Sequence, residues 1–149
     1  MSSVTTVTVG QAPAITNSNN TMWTYGTNPG SFTVTTTGSP TPSISATSVP
    51  SGAQFVDNGD GTGSLKWANL STTGPNAGPP YTITFTASNG VLPNATQSFT
   101  LTVNKAPVTV SVTASNKMYD RTASATLSCS VTGGLISTDT STCSATGNF

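Results

Sequence analysis

Asp57 and Asp60 stand in the stretch FVDNGDGTGSLKW, residues 55–67, and are two of only four acids in the chain. Paired carboxylates among glycines and amides suggest a calcium loop. The helix–loop–helix calcium motif wants oxygen ligands at alternate positions, a glycine at the sixth and a glutamate at the twelfth. Counted from Asp57, the third and fifth positions are Gly59 and Gly61, which carry no ligand atom. Counted from Asn58, the series gives Asp60, Thr62 and Gly63, but Asn69 at the twelfth. Asp57 and Asp60 are therefore a weak calcium candidate. The same residues also read as a hairpin turn, because Asn-Gly and Asp-Gly supply positive-φ positions between AQFV and GSLKW. That reading explains more of the stretch.

Little other chemistry is on offer. The chain has no His and no Glu, so the usual general acids and bases are missing and the many hydroxyls have no base to activate them. The expectation is a protein that is not an enzyme and carries no cofactor beyond a possible calcium ion. An internal Lys–Asn isopeptide bond would need a buried lysine beside an acid. Lys66 is the one candidate donor in the main domain, yet a solvent-facing lysine guarding an edge strand is the simpler reading. Trp23 and Tyr25 alternate in TMWTYG and are expected as an exposed pair that could contact a glycan, whereas Trp67 and Tyr81 fall in phase with apolar strand positions. Cys129 and Cys143 have no partners for a metal site. A disulfide closing a hairpin is the reading favoured over two free thiols.

What must hold these residues is β-structure. Of 149 residues, 52 are Ser or Thr, while charged residues amount to 5% and balance to zero net charge. Without a basic cluster, nucleic acid is excluded as a partner, and no basic amphipathic helix or long apolar run suggests membrane insertion. Apolar residues alternate with threonine, the mark of half-buried strands. Strands are expected at VTTVTV (4–9), SFTVTTT (31–37), with Phe32 and Val34 on one face, and PSISA, with Ile44 and Ala46 inward. AQFV and GSLKW follow, then YTITFTA (81–87), with Tyr81, Ile83, Phe85 and Ala87 in one row. QSFTLTV (97–103) has Phe99, Leu101 and Val103 in another. VTVSVTA (108–114) and ASATLSCSV (123–131) form a further pair. About seven short strands in the main domain, with no helical period, is the pattern of an antiparallel β-sandwich.

A repeat sets the boundaries. TVTVGQAP (6–13) and TLTVNKAP (100–107) share an alternating strand, two polar residues and Ala-Pro, as at semi-rigid junctions between tandem modules. Residues 1–11 then read as the last strand of a preceding module and its junction. Residues 12–103 form one sandwich, 104–107 a second junction and 108–149 an incomplete second β module. MSSVTTVTVG lacks the charged and apolar regions of a signal peptide, so an export address would lie in a longer parent chain.

At GSPTPSIS, VPSGAQFVDNGDGTGSL and TFTASNG…ATQSFTLTV, residues 12–103 resemble the bacterial Ig-domain family that recurs in large cell-surface and secreted proteins. The tail APVTVSVTASNKMYDRTASATLSCSVTGGLISTDTSTCSATGNF, about residues 107–149, is similar to the start of the YDG repeat of bacterial surface adhesins, with Tyr119-Asp120-Arg121 at the Tyr-Asp-Gly signature. These resemblances imply an extracellular, bacterial cell-surface protein: a non-catalytic spacer or adhesive module whose partners are neighbouring β modules of the same array and a surface ligand or glycan. Two other functions stay open beside it, a glycan-binding module of a secreted enzyme and a subunit of a strand-exchanging fibre.

Overall fold

The computed structural model describes residues 9–26, 30–67, 79–123, 126–135 and 140–147. All regular structure among them is strand, in two compact units that divide between Asn104 and Lys105.

The first unit is a sandwich of two four-stranded sheets. Its strands are β1 (Gln11–Ile15), β2 (Asn20–Thr24), β3 (Gly30–Ser39), β4 (Ser43–Thr47), β5 (Ala53–Asp57), β6 (Thr62–Trp67), β7 (Tyr81–Ser88) and β8 (Ala95–Asn104). One sheet has the order β1-β3-β6-β5, the other β2-β8-β7-β4. Pairings are antiparallel except that of β2 with β8, which run parallel from Asn20 opposite Thr100 to Thr24 opposite Asn104. The chain thus crosses from one sheet to the other between β1 and β2. Its strands extend one residue beyond 12–103 at each end, because Gln11 pairs with Ser39 and the Asn104 carbonyl accepts from Tyr25 N–H. The run 4–9 lies outside the described residues apart from Val9, which is exposed.

Alternation puts the apolar rows inside, since successive side chains of a strand leave opposite faces. Ile83, Phe85 and Ala87 of β7 and Phe99, Leu101 and Val103 of β8 are buried, as are Val34, Ile44, Leu65 and Trp67. Phe32, Phe99, Phe85 and Phe55 make a continuous ring contact across the two sheets, with centroids 4.5–5.2 Å apart. Rings supply this core because threonine fills the outward positions and no cysteine lies in the sandwich. A full Phe→Ala truncation in such packing costs about 3–5 kcal/mol.

Two expectations change here. Lys66 is exposed, but β6 sits between β3 and β5, so the residue guards no edge. Trp23 is 8% exposed and meets Trp67 edge-on, centroids 6.1 Å apart, while Tyr25 is half-buried against the same core. The exposed pair is therefore corrected. Pairing of β2 with β8 brings Trp23 opposite Val103, and alternation then carries both rings inward.

The second unit is a hairpin, β9 (Thr109–Ala114) antiparallel to β10 (Leu127–Gly133). The expected strand from residue 123 begins instead at Leu127 and extends two residues further than 131. Among its described residues none is buried. Cys129 of β10 is disulfide-bonded to Cys143, Cα atoms 5.6 Å apart. Because Cys143 lies in no strand, the bond ties the following segment back to β10 and does not close a hairpin.

Candidate functional site

The acids of DNGDGTG lie at the β5–β6 turn, residues Asn58 to Gly61. Gly59 and Gly61 have φ of 77° and 83°, the left-handed region that glycine enters without a Cβ penalty. Asn58 N–H donates to Thr62 O at 2.9 Å, and Thr36 of β3 donates to Gly61 O through both its N–H and its hydroxyl, at 3.0 and 2.6 Å. The turn is thereby fixed to the neighbouring strand. Two residues on, a Cβ at Gly63 would strike the Phe55 ring, so the ring lies flat over a strand position that only glycine fits.

Asp57 and Asp60 are placed close together, but each is committed to backbone. Asp57 Oδ1 accepts from Gly59 N–H at 3.1 Å, and Oδ2 accepts from Ile44 N–H at 3.0 Å. Ile44 belongs to β4, the edge of the other sheet. One carboxylate therefore closes its own turn and clasps the two sheets at their shared margin. It also satisfies a backbone donor that an edge strand would otherwise offer to another chain. Asp60 Oδ1 accepts the Thr62 hydroxyl at 2.6 Å and Thr62 N–H at 2.9 Å. These two bonds, the hydroxyl first, hold its carboxyl below the ordinary aspartate range, by stabilising the charged form. Among the described residues, no three His, Cys, Asp or Glu side chains converge on one point.

A second clasp was not signalled by any local pattern. Asn17, at the crossing from β1 to β2, accepts from Thr35 N–H of β3 at 2.9 Å and donates to Gln97 Oε1 of β8 at 3.2 Å. Gln97 donates back to the Asn17 carbonyl at 3.2 Å. Asn89 likewise donates to the carbonyls of Gln11 and Pro40, both at 2.8 Å, holding the start of β1 to the β3–β4 turn. Amides do at these margins what a cross-sheet disulfide could do elsewhere. Sequence reading finds such residues only as polar letters in loops, since their partners lie 18 to 80 residues away.

Trp67 Nε1 is buried with no hydrogen-bond acceptor. The indole contributes its buried area and its edge-on contact with Trp23, while its donor is left unpaired.

In the second unit, residues 117–123 line a concavity of about 450 Å³. Lys117 Nζ pairs with Asp120 at 2.8 Å, and Asp120 also accepts the Thr122 N–H and hydroxyl at 2.9 and 2.8 Å. The lysine first, then Thr122 N–H and hydroxyl, lower the Asp120 carboxyl below its ordinary range. Arg121 takes φ of 65°, so this residue occupies a left-handed position that would suit glycine. Met118 and Tyr119 beside it are each 91% exposed.

Among the described site residues, Asp57, Asn17 and Asn89 fasten strands, Asp60 and Asp120 close their own turns, and Tyr119 is an exposed ring beside Asp120. Asn69 and Asp139 lie outside the described residues. No family model matches the sequence, and no curated protein does. Solved structures do. A chimeric titin Z1Z2 carrying an exogenous KLER peptide from decorin is 21% identical over 66% of this chain and 99% of its own, with a TM-score of 0.50. Titin domain M7 is 19% identical with the same coverage and score. The titin domains Z1Z2 in complex with telethonin are 18% identical over 82% of this chain and 66% of theirs, with a TM-score of 0.52. Likeness at this identity carries the architecture and nothing more: the chain has an Ig-like β-sandwich fold.

Proposed function

We propose that this chain is a non-catalytic structural module, a spacer or adhesive element of a repetitive extracellular protein on a bacterial surface. The observation that carries the reading is the parallel pairing of β2 with β8. Tension along the chain draws these two strands in opposite directions along one axis. The ladder from Asn20–Thr100 to Thr24–Asn104 is then loaded in shear, its bonds bearing force together and not one after another. A force-carrying role needs a high barrier to forced unfolding, which such a ladder supplies. The buried rings, the Asp57 and Asn17 clasps and the hydroxyl-covered outer faces fit the same role. Ig-like sandwiches are commonly structural or adhesive modules.

The extracellular setting is supported by the Cys129–Cys143 disulfide, since such bonds persist in oxidising compartments. The bacterial surface is supported by the resemblance over residues 12–103, and neighbouring β modules are the partners it suggests. The glycan-binding alternative loses its main support, because Trp23 offers no face to a sugar. Calcium has no role in this reading: three of the four carboxylate oxygens of Asp57 and Asp60 already accept hydrogen bonds. The thermal midpoint is expected to be the same in millimolar calcium and in chelator.

Single-molecule pulling tests the role directly. Tyr25 N–H bonds to Asn104 O and Thr100 N–H to Asn19 O, so alternation turns Thr21 N–H toward β8. Thr21→Pro removes that donor and is expected to lower the unfolding force well below that of Thr21→Ala. Equal forces for the two variants would remove the shear mechanism and the spacer reading with it.

A further inference from the structure

The second unit leaves a strand edge open. Its sheet contains only β10 and β9, so among the described residues the far edge of β9 has no neighbour. Ser115 N–H donates to Thr126 O, which fixes the parity of the hairpin. Ser115, Thr113 and Ser111 turn their backbone groups toward β10, and Ala114, Val112 and Val110 turn theirs outward. Val110 and Val112 are also 60% and 53% exposed through their side chains, with Val108 at 51%. Residues 108–114 carry no charge and no proline within the strand, and among the described residues no further strand pairs with this edge. At the edge of β4 in the sandwich, by contrast, Asp57 occupies Ile44 N–H.

The sequence along this edge is its own complement. Thr109-Val110-Ser111-Val112-Thr113 reads the same in both directions, with apolar Val108 and Ala114 outside it. Antiparallel pairing with an identical strand about Ser111 sets Val110 opposite Val112, Thr109 opposite Thr113 and Val108 opposite Ala114. Every valine then meets an apolar residue on one face and every hydroxyl meets a hydroxyl on the other. Val110 and Val112, whose backbone groups point outward, become the hydrogen-bonded pairs. Few strands satisfy both the backbone parity and the side-chain match with one two-fold axis.

We propose that β9 pairs with β9 of a second copy of this chain, giving a four-stranded sheet, β10-β9-β9-β10, around a two-fold axis at Ser111. Such a contact uses the same patch on both partners and closes at two. It therefore makes a dimer and not a fibre. The pairing stands on the second unit alone, so it survives or fails independently of the shear mechanism in the sandwich.

The test uses the full chain. Sedimentation or native mass measurement from micromolar to millimolar concentration is expected to show monomer passing to dimer and stopping there. Val112→Lys sets a lysine in the shared ladder and is expected to raise the dimer dissociation constant about tenfold or more. Cross-linking reads the register in variants that keep the edge uncharged. Opposed Ser111 residues form a non-hydrogen-bonded pair with Cα atoms about 4.5 Å apart, within disulfide reach. Ser111→Cys should then link two copies under mild oxidation, confirmed by peptide mapping against Cys129–Cys143. In Thr113→Cys the two new thiols lie about four residues apart along the strands, roughly 13 Å, and should not link. A monomer at every concentration, a dimer indifferent to Val112→Lys, growth beyond the dimer, or equal linking at positions 111 and 113 would each overturn the proposal.

Discussion

The sandwich and the hairpin after it are written in the same letters, valine and threonine alternating along short strands, yet among the described residues only the sandwich has an interior. In β7 and β8 the inward row holds Phe85, Phe99, Ile83 and Leu101, and a second sheet stands opposite to receive them. In β9 the corresponding row is Val110, Val112 and Ala114, and the described residues of the second unit hold no second sheet to receive it. Alternation alone thus makes a strand but does not make a core. A two-stranded ribbon is marginal in water without such packing. Margins differ as well: a carboxylate takes the open donor on β4, and among the described residues no strand pairs with the outer edge of β9.

The contrast can be broken most severely from inside the sandwich. Phe85→Ala removes the ring that joins Phe99 to Phe55 and is expected to cost about 3–5 kcal/mol, read as a fall in the denaturation midpoint. The hairpin should keep its disulfide in that variant, since its stability has another source. Reduction of Cys129–Cys143 is the converse. Opening a loop of this size is expected to release about 3 kcal/mol from the second unit, collapsing amide dispersion for residues 105–149 while the sandwich signals stay in place.

A smaller loss should follow at the guarded margin. Asp57→Ala strands Ile44 N–H and Gly59 N–H and is expected to destabilise the sandwich by about 1–2 kcal/mol. Asp57→Asn keeps one acceptor oxygen, enough for one of the two donors, and should recover part of it. If alanine and asparagine behave alike and both are neutral, the clasp contributes nothing.

The smallest effect is pH-dependent. Thr62 holds the folded-state pKa of Asp60 below its unfolded value, so the contact contributes fully above that unfolded value and is lost as pH falls through the lower folded one. Wild type should exceed Asp60→Asn in thermal midpoint at pH 6, and the gap should close as pH falls through the lowered folded-state value. A gap unchanged at low pH would mean that the turn gains nothing from the ionised carboxyl.

Local pattern made some of this legible and hid the rest for physical reasons. Period-two alternation was enough to place Ile83, Phe85, Ala87, Phe99, Leu101 and Val103 inside, and turn chemistry was enough to see a hairpin at Asn58–Gly61. Both signals lie within a few residues. The strand β2 escaped, and Trp23 with it, because its identity comes from pairing with β8 some 80 residues away. The Asp57–Ile44 and Asn17–Gln97 clasps are likewise long-range, and a carboxylate bound to a distant N–H reads the same as one waiting for a cation. Arg121 at φ of 65° shows the opposite limit, a backbone position that persists with a residue that does not favour it.

What the sandwich is for turns on β2 and β8, and the direction of force tests it. The sandwich can be pulled through Gln11 and Asn104, which shears the β2–β8 ladder, or through Tyr81 and Asn104, which lie at the same end of the β7–β8 pair and open its bonds one after another. A force-carrying module is expected to resist the first geometry markedly better than the second, and to lose that advantage in Thr21→Pro. Equal unfolding forces in the two directions would contradict the account.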